Sequence, residues 1–163
     1  MKPVRDEIRD LLSAEKDDRF LRPNEVRKKA MDLLARREYG GTELAEKLAS
    51  KGYERSVVEV EIGRLADEGL QSDSRFAESF VQARINQGKG PVRIRSELAR
   101  RGLSAGIIDG ALDGAACDWF ELAHQERVKK FGHDVPQDFK EKARQMRFLQ
   151  YRGFEQDHIQ SAF

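Results

Sequence analysis

Three histidines, one cysteine and a Gly-Lys-Gly-Pro run are the first residues to ask for chemistry. His124, His133 and His158 are 9 and 25 residues apart. Ligands sharing a helix face stand four apart, and no Cys-x-x-Cys adds a second pair, so this spacing predicts surface or capping histidines and no metal site. Cys117 is the single cysteine, within Ala115-Ala116-Cys117-Asp118-Trp119. A nucleophilic thiol needs a lowered pKa and a partner base, and nothing nearby in sequence supplies either. It reads as a small packing residue. No catalytic residue, cofactor site or metal ligand is assigned, and the chain is read as a non-enzyme. Gly88-Lys89-Gly90-Pro91 leads into a helix, where a lysine beside glycine can hold an anion. The longer glycine spacing and preceding strand of a nucleotide-binding loop are missing, so the run is expected to be a helix connector, with a DNA phosphate contact as its other use.

The cations carry the stronger signal. Charged residues make up 36% of the chain, yet the formal net charge is only +1. Residues 1–73 hold 15 basic and 17 acidic groups, net −2. Residues 75–102 hold 7 basic and 2 acidic groups, and residues 127–152 hold 8 and 3, each net +5. Two basic blocks in a near-neutral chain point to a polyanion or an acidic partner. On a helix through residues 139–151, Phe139, Ala143, Met146 and Leu149 fall on one side. Lys140, Arg144 and Arg147 line up on another with no intervening acid, a repulsion that an anionic partner would relieve. Over 91–101, Arg93, Glu97 and Arg101 stand four apart and can pair internally, which leaves Arg95 and Arg100 freer. Phe76 and Phe80, Tyr53 and Phe154 read as packing residues, so a base-stacking platform is not expected.

The elements that must position these groups are helices. Strand alternation is almost absent. The pattern Leu-x-x-basic-Gly-apolar occurs at Leu48–Tyr53, Leu98–Leu103 and Leu149–Phe154, with its glycines 50 and 51 residues apart. Val58, Ile108 and Ile159 follow six residues after each glycine, and Ile62, Leu112 and Phe163 ten after. A period near 50 marks a tandem helical array. The physics is local. A basic residue suits the negative end of a helix, glycine supplies the left-handed cap, and the next apolar residue folds back on the helix just ended. A further helix precedes each pattern, with Val26, Ala30, Leu33 and Leu34, with Phe76, Phe80, Val81 and Ile85, and with Leu122 and Val128 as apolar positions. Helix starts are expected at Asn24, Thr42, the Ser56-x-x-Glu59 capping box, Ser72 or Asp73, Pro91, Ser104, Asp118 and Pro136. The fold class is all-α: three tandem three-helix units, 24–71, 72–115 and 116–163, in an elongated, curved array. Residues 1–23 form an N-terminal helix (Val4, Ile8, Leu11, Leu12) and a solvated linker at Lys16–Arg19. Units of this size bury too little to stand alone and must stack. No apolar run reaches the roughly 18 residues of a membrane span, and no signal peptide is read, so a cytoplasmic protein is expected. Thr42 to Leu65 superficially suggests a helix-turn-helix duplex reader. The usual turn is three to four residues, whereas here the first helix is expected to run on past Ala49 to the Gly52 cap, about three residues too far, and Glu54, Glu59 and Glu61 suit phosphates poorly.

The string Asp73-Ser74-Arg75-Phe76-Ala77-Glu78-Ser79-Phe80, then Arg84, then Gly88-Lys89-Gly90-Pro91-Val92-Arg93-Ile94-Arg95-Ser96-Glu97-Leu98 and Gly102, closely resembles the RecX family of bacterial regulators of the RecA recombinase. Leu33–Glu38, Glu43-Leu44, Lys51-Gly52, Arg144–Leu149 and Arg152-Gly153-Phe154 agree with it, so the resemblance covers residues 24–163. It implies a monomeric, non-enzymatic modulator of RecA filaments on single-stranded DNA that lowers ATP hydrolysis, strand exchange and filament growth. It implies direct contact with single-stranded DNA, with duplex DNA as an open alternative, and no membrane. From the motif come Arg84, Lys89, Arg93 and Arg95 as candidate DNA or filament contacts. The charge reading adds Arg100, Arg101, Lys140, Arg144 and Arg147. The alternative function is a helix-turn-helix-like transcriptional regulator.

Overall fold

A computed structural model of the chain describes residues 4–9 and 21–163. Residues 4–9 are helical and exposed. Leu11, Leu12 and the expected linker at residues 16–19 lie outside the described residues. Every other regular element described is a helix: α1 (Pro23–Leu34), α2 (Gly41–Ser50), α3 (Arg55–Asp67), α4 (Asp73–Asn86), α5 (Pro91–Arg100), α6 (Ala105–Gly114), α7 (Trp119–Phe131), α8 (Phe139–Arg152) and α9 (Gln156–Ser161). They divide into two compact units, Met1–Asp73 and Ser74–Phe163.

The first unit packs α1, α2 and α3 around Val26, Ala30, Leu33, Leu44, Leu48, Val58, Ile62 and Leu65. These recur three and four apart on each helix, so each helix turns one apolar stripe inward. Tyr39 and Tyr53 close the core, and Gln71 donates from Nε2 to the Tyr39 carbonyl at 3.1 Å.

The second unit holds two cores. Phe76, Ala77, Val81, Ile94, Leu98, Leu103, Ile108, Ala111 and Leu112 join α4, α5 and α6. Ala123, Leu149, Phe154, Ile159 and Ala162 join α7, α8 and α9, and half-buried Trp119 packs against both cores.

The repeated glycine does the same work three times. Gly52, Gly102 and Gly153 have φ of +99°, +83° and +96°. In each turn the following apolar residue, Tyr53, Leu103 or Phe154, donates its N–H back to the carbonyl of Leu48, Leu98 or Leu149 at 3.2–3.4 Å. Its side chain is 3–7% exposed. A β-carbon at a positive φ is strained, which is why the pattern requires glycine there.

Several helix starts differ from expectation. α1 begins at Pro23, capped by the Arg22 backbone and not by Asn24. Proline at the first helical position lacks only an N–H that would be unpaired anyway. α2 starts at Gly41 with Gly40 as its cap, not at Thr42. α3 starts at Arg55 behind Glu54 and makes no Ser56 capping box, because the Gly52 turn is complete by then. α8 starts at Phe139, where Asp138 accepts from the Glu141 N–H at 3.3 Å, three residues after Pro136. Ser104 and Asp118 cap α6 and α7 as expected.

The inward face of α7 is also rotated. Leu122 and Val128 are only half-buried, and Ala123 and Arg127 face the core instead. Arg127 is 1% exposed. Its Nε donates to the Ala162 carbonyl at 2.6 Å, and Nη1 lies 3.4 Å from the carbonyls of Gly132 and Asp134. The guanidinium also stands 5.1 Å from the Phe163 ring centroid.

Candidate polyanion-binding surface

The Gly88-Lys89-Gly90-Pro91 connection is a seat for the turn between α8 and α9. The Gly90 N–H donates to the Arg152 carbonyl and the Val92 N–H to the Gly153 carbonyl, each at 2.9 Å. A β-carbon on Gly90 would stand 2.4 Å from the Gly153 carbonyl carbon, and one on Gly153 would stand 2.3 Å from the Arg93 β-carbon. The backbones touch because neither residue carries a side chain. Arg152 straps the joint, with Nη1 donating to the Gln87 carbonyl at 3.0 Å and lying 3.9 Å from Glu126.

This seat collects cations. Arg84 Nε donates to Glu97 Oε2 at 2.8 Å, and its guanidinium lies 4.4 Å from the Phe80 ring centroid. Arg93 lies 3.6 Å from the same carboxylate. Burial opposes ionisation of Glu97, but the Arg84 hydrogen bond and the charges of Arg84 and Arg93 outweigh it and hold the carboxyl below its usual value. Lys89 is pushed the other way. Burial and the charges of Arg152, Arg93 and Arg84 lower its ammonium pKa, with Glu97 a partial offset. Four cations here face two carboxylates, Glu97 and Glu126, so an arriving anion would meet an excess of positive charge.

The other candidates on α5 separate. Arg95 is tied to Asp109 of α6. Arg101 stands over the Phe80 ring at 4.9 Å. Arg100 is exposed. The expected freedom of Arg95 is thereby corrected: its reach to α6 is invisible from α5 alone.

On α8, Lys140, Arg144 and Arg147 are all exposed on one face, as the helical spacing predicts. That face is not free of acid. Arg144 makes a double hydrogen bond to Glu141 at 2.8 and 2.9 Å, which raises the arginine pKa and lowers that of the carboxyl. Glu141 sits one residue off the stripe, and a long arginine spans that gap. Among the described residues, Lys89, Arg100, Lys140 and Arg147 pair with no carboxylate. Phe139, expected on the apolar side, is 85% exposed.

Three residues escape sequence reasoning. Arg127 counts as an available cation in the basic block but is buried. Arg152 suits the helix dipole in the repeat pattern, yet it reaches Gln87 and Glu126. Tyr151 carries no motif, yet it is 78% exposed, and the Arg93 guanidinium lies 5.7 Å from its ring centroid. The one available signal for Tyr151 is its register with Lys140, Arg144 and Arg147.

The other chemistry stays quiet. No group of three His, Cys, Asp or Glu among the described residues could hold a metal ion. Burial, aided by Asp118, raises the Cys117 thiol pKa, the reverse of activation. No described helix is long and apolar enough to cross a membrane. In the first unit, α2 runs past Ala49 to Ser50 and ends at the Gly52 turn, as expected, and residues 51–54 join it to α3, the pair that suggests a helix-turn-helix. What weakens that reading is charge: Glu54 and Glu59 are exposed on or beside α3.

Comparison with known proteins covers nearly all of this architecture. Residues 27–65 match the family model for "RecX, first three-helix domain", residues 72–112 the second and residues 117–163 the third. A "Regulatory protein RecX" of Halorhodospira halophila is 47% identical over 137 residues, 84% of this chain and 85% of that one. A protein of the same name from Pseudomonas savastanoi pv. phaseolicola is 48% identical over 137 residues, 84% of this chain and 88% of its own length. The crystal structure of RecX from Lactobacillus salivarius superposes with a TM-score of 0.72 at 23% identity, covering 86% of this chain and 93% of that one.

Proposed function

The chain belongs to the RecX family of regulatory proteins, and from that premise we propose that it binds the RecA recombinase and its filament on single-stranded DNA. It does so without catalysing a reaction. It inhibits ATP hydrolysis, strand exchange and filament growth, and so modulates recombination, DNA repair and the SOS response in the cytoplasm. Residues 24–71, 72–115 and 116–163 are its three units, and it acts as a monomer.

The observation that carries this reading onto the chain's own surface is the solvent face of α8, where Lys140 and Arg147 stand exposed and uncompensated. A RecA filament on single-stranded DNA offers a phosphate backbone to such a face. Weak contacts from several units sum through effective concentration. Arg84, Arg93, Arg95 and Arg144 are already engaged with carboxylates, so each contributes less than its formal charge suggests.

The test is co-sedimentation with RecA filaments assembled on single-stranded DNA, over a range of salt. The wild-type chain co-sediments. Lys140→Glu with Arg147→Glu lowers affinity and flattens the salt dependence, by about 0.7 in the log–log slope for each single-strand phosphate that is no longer neutralised. Unchanged binding by the double variant rules out this surface, and absence of wild-type binding rules out the function.

A further inference from the structure

Tyr151 is an aromatic side chain that no core of the fold buries. It lies two residues before the cap glycine of its repeat. The sister repeats place Ser50 and Arg100 at that position, and both are exposed. A serine and an arginine therefore satisfy the architecture there, and the 78% exposed tyrosine ring adds nothing to a core. The same register sets Arg147 against Glu46 and Ser96, again all exposed.

The ring also stands in line. Lys140, Arg144, Arg147 and Tyr151 are spaced four, three and four apart, so they share one face of α8, opposite buried Leu149. At 1.5 Å per residue the stripe is about 16 Å long, a reach of several nucleotides. At its end the stripe meets the joint with α5. Arg93 lies 5.7 Å from the Tyr151 ring, its position fixed by Glu97 at 3.6 Å and by the Gly153 backbone under its β-carbon. Lys89 is beside it, carrying a charge that burial and three arginines disfavour and that a bound anion would support.

We propose that Tyr151 is a base-stacking residue in a track for single-stranded nucleic acid, with Lys140 and Arg147 holding phosphates on one side of it and Arg93 and Lys89 on the other. An exposed aromatic ring between cations suits a flat base flanked by phosphates, because every base offers a stacking face once it is unpaired. An acidic peptide would use the cations and leave the ring idle. A duplex would keep its bases stacked on one another and away from Tyr151. The proposal deepens the filament reading and rests on it for the setting alone. Its test contains no recombinase, so either can fail while the other stands.

The experiment is fluorescence anisotropy with a bare labelled oligothymidylate and with a duplex of equal length, both at low salt. Tyr151→Ser, which installs the residue of the first repeat, weakens oligothymidylate binding about 5- to 150-fold, the usual value of one stacked base. Tyr151→Phe keeps the wild-type affinity, and the duplex affinity is the same for all three proteins. Equal melting temperatures show that the exposed substitutions leave the fold intact. Ultraviolet crosslinking of the oligothymidylate to the wild-type chain maps to Tyr151. The proposal is overturned if Tyr151→Ser binds like wild type, or if Tyr151→Phe loses as much as Tyr151→Ser. It is equally overturned if duplex binding falls in parallel, if polyglutamate competes as well as unlabelled oligothymidylate, or if the wild-type chain ignores the oligonucleotide.

Discussion

Adding one methyl group at Gly90 tests the joint between α5 and the α8–α9 turn. Gly90 has φ of −87°, a conformation that any residue adopts, so Gly90→Ala creates no local backbone strain. The conflict is wholly with the neighbour. The new β-carbon would lie 2.4 Å from both the carbonyl carbon and the oxygen of Gly153 and 2.5 Å from the Phe154 nitrogen. All three are backbone atoms and cannot swing aside. Relief requires the turn to move away, which breaks the two 2.9 Å hydrogen bonds from Gly90 and Val92. Each bond is worth about 1 kcal/mol net, and overpacking adds about 1–3 kcal/mol. The smaller entropy of an unfolded alanine returns about 0.4–1 kcal/mol, which leaves a loss of about 3 kcal/mol. The assay is urea denaturation together with amide hydrogen exchange at Val92, whose protection falls by about two orders of magnitude. Gly63→Ala is the control: its β-carbon meets nothing within 4 Å on α3, so helix propensity should raise stability by about 1 kcal/mol. A Gly90→Ala protein as stable as wild type, with Val92 still protected, would refute the close-approach argument.

The remaining predictions concern one buried and one half-buried charge. Arg127→Met removes the donor to the Ala162, Gly132 and Asp134 carbonyls and lowers stability by about 1–3 kcal/mol; a melting curve matching wild type contradicts this role. Glu97 has a folded pKa below its usual value near 4.5, so its contribution to stability is complete above that value and is lost as pH falls through the lower folded pKa. Wild type is therefore more stable than Glu97→Gln at pH 7, and the gap closes in acid. A gap independent of pH excludes the Arg84–Glu97–Arg93 cluster as its source.

The repeat is legible because it rests on local physics. A left-handed turn needs glycine, and the residue after it needs somewhere to pack, so Gly52, Gly102 and Gly153 announce three helix ends without any knowledge of the neighbours. The apolar positions six and ten residues later follow from helical period alone. What the sequence conceals is everything that depends on a partner helix. Gly90 looks like any helix-start glycine until the Gly153 backbone is found against it. Arg95 and Arg144 look like free cations until Asp109 and Glu141 are placed, one from another helix and one from a neighbouring stripe. Arg127 reads as surface charge because a periodic pattern cannot show that the carbonyl of Ala162, 35 residues away, waits above it. Tyr151 is hidden for the opposite reason: aromatic residues default to the core, and only the exposed ring shows that the core has no use for it.

The measurement closest to the central claim is the rate of ATP hydrolysis by RecA on single-stranded DNA while this protein is titrated in. The account predicts inhibition well below one molecule per recombinase subunit, as befits a regulator that acts on a filament and not on single protomers. An unchanged rate at every concentration, with no co-sedimentation on the filament, would contradict it.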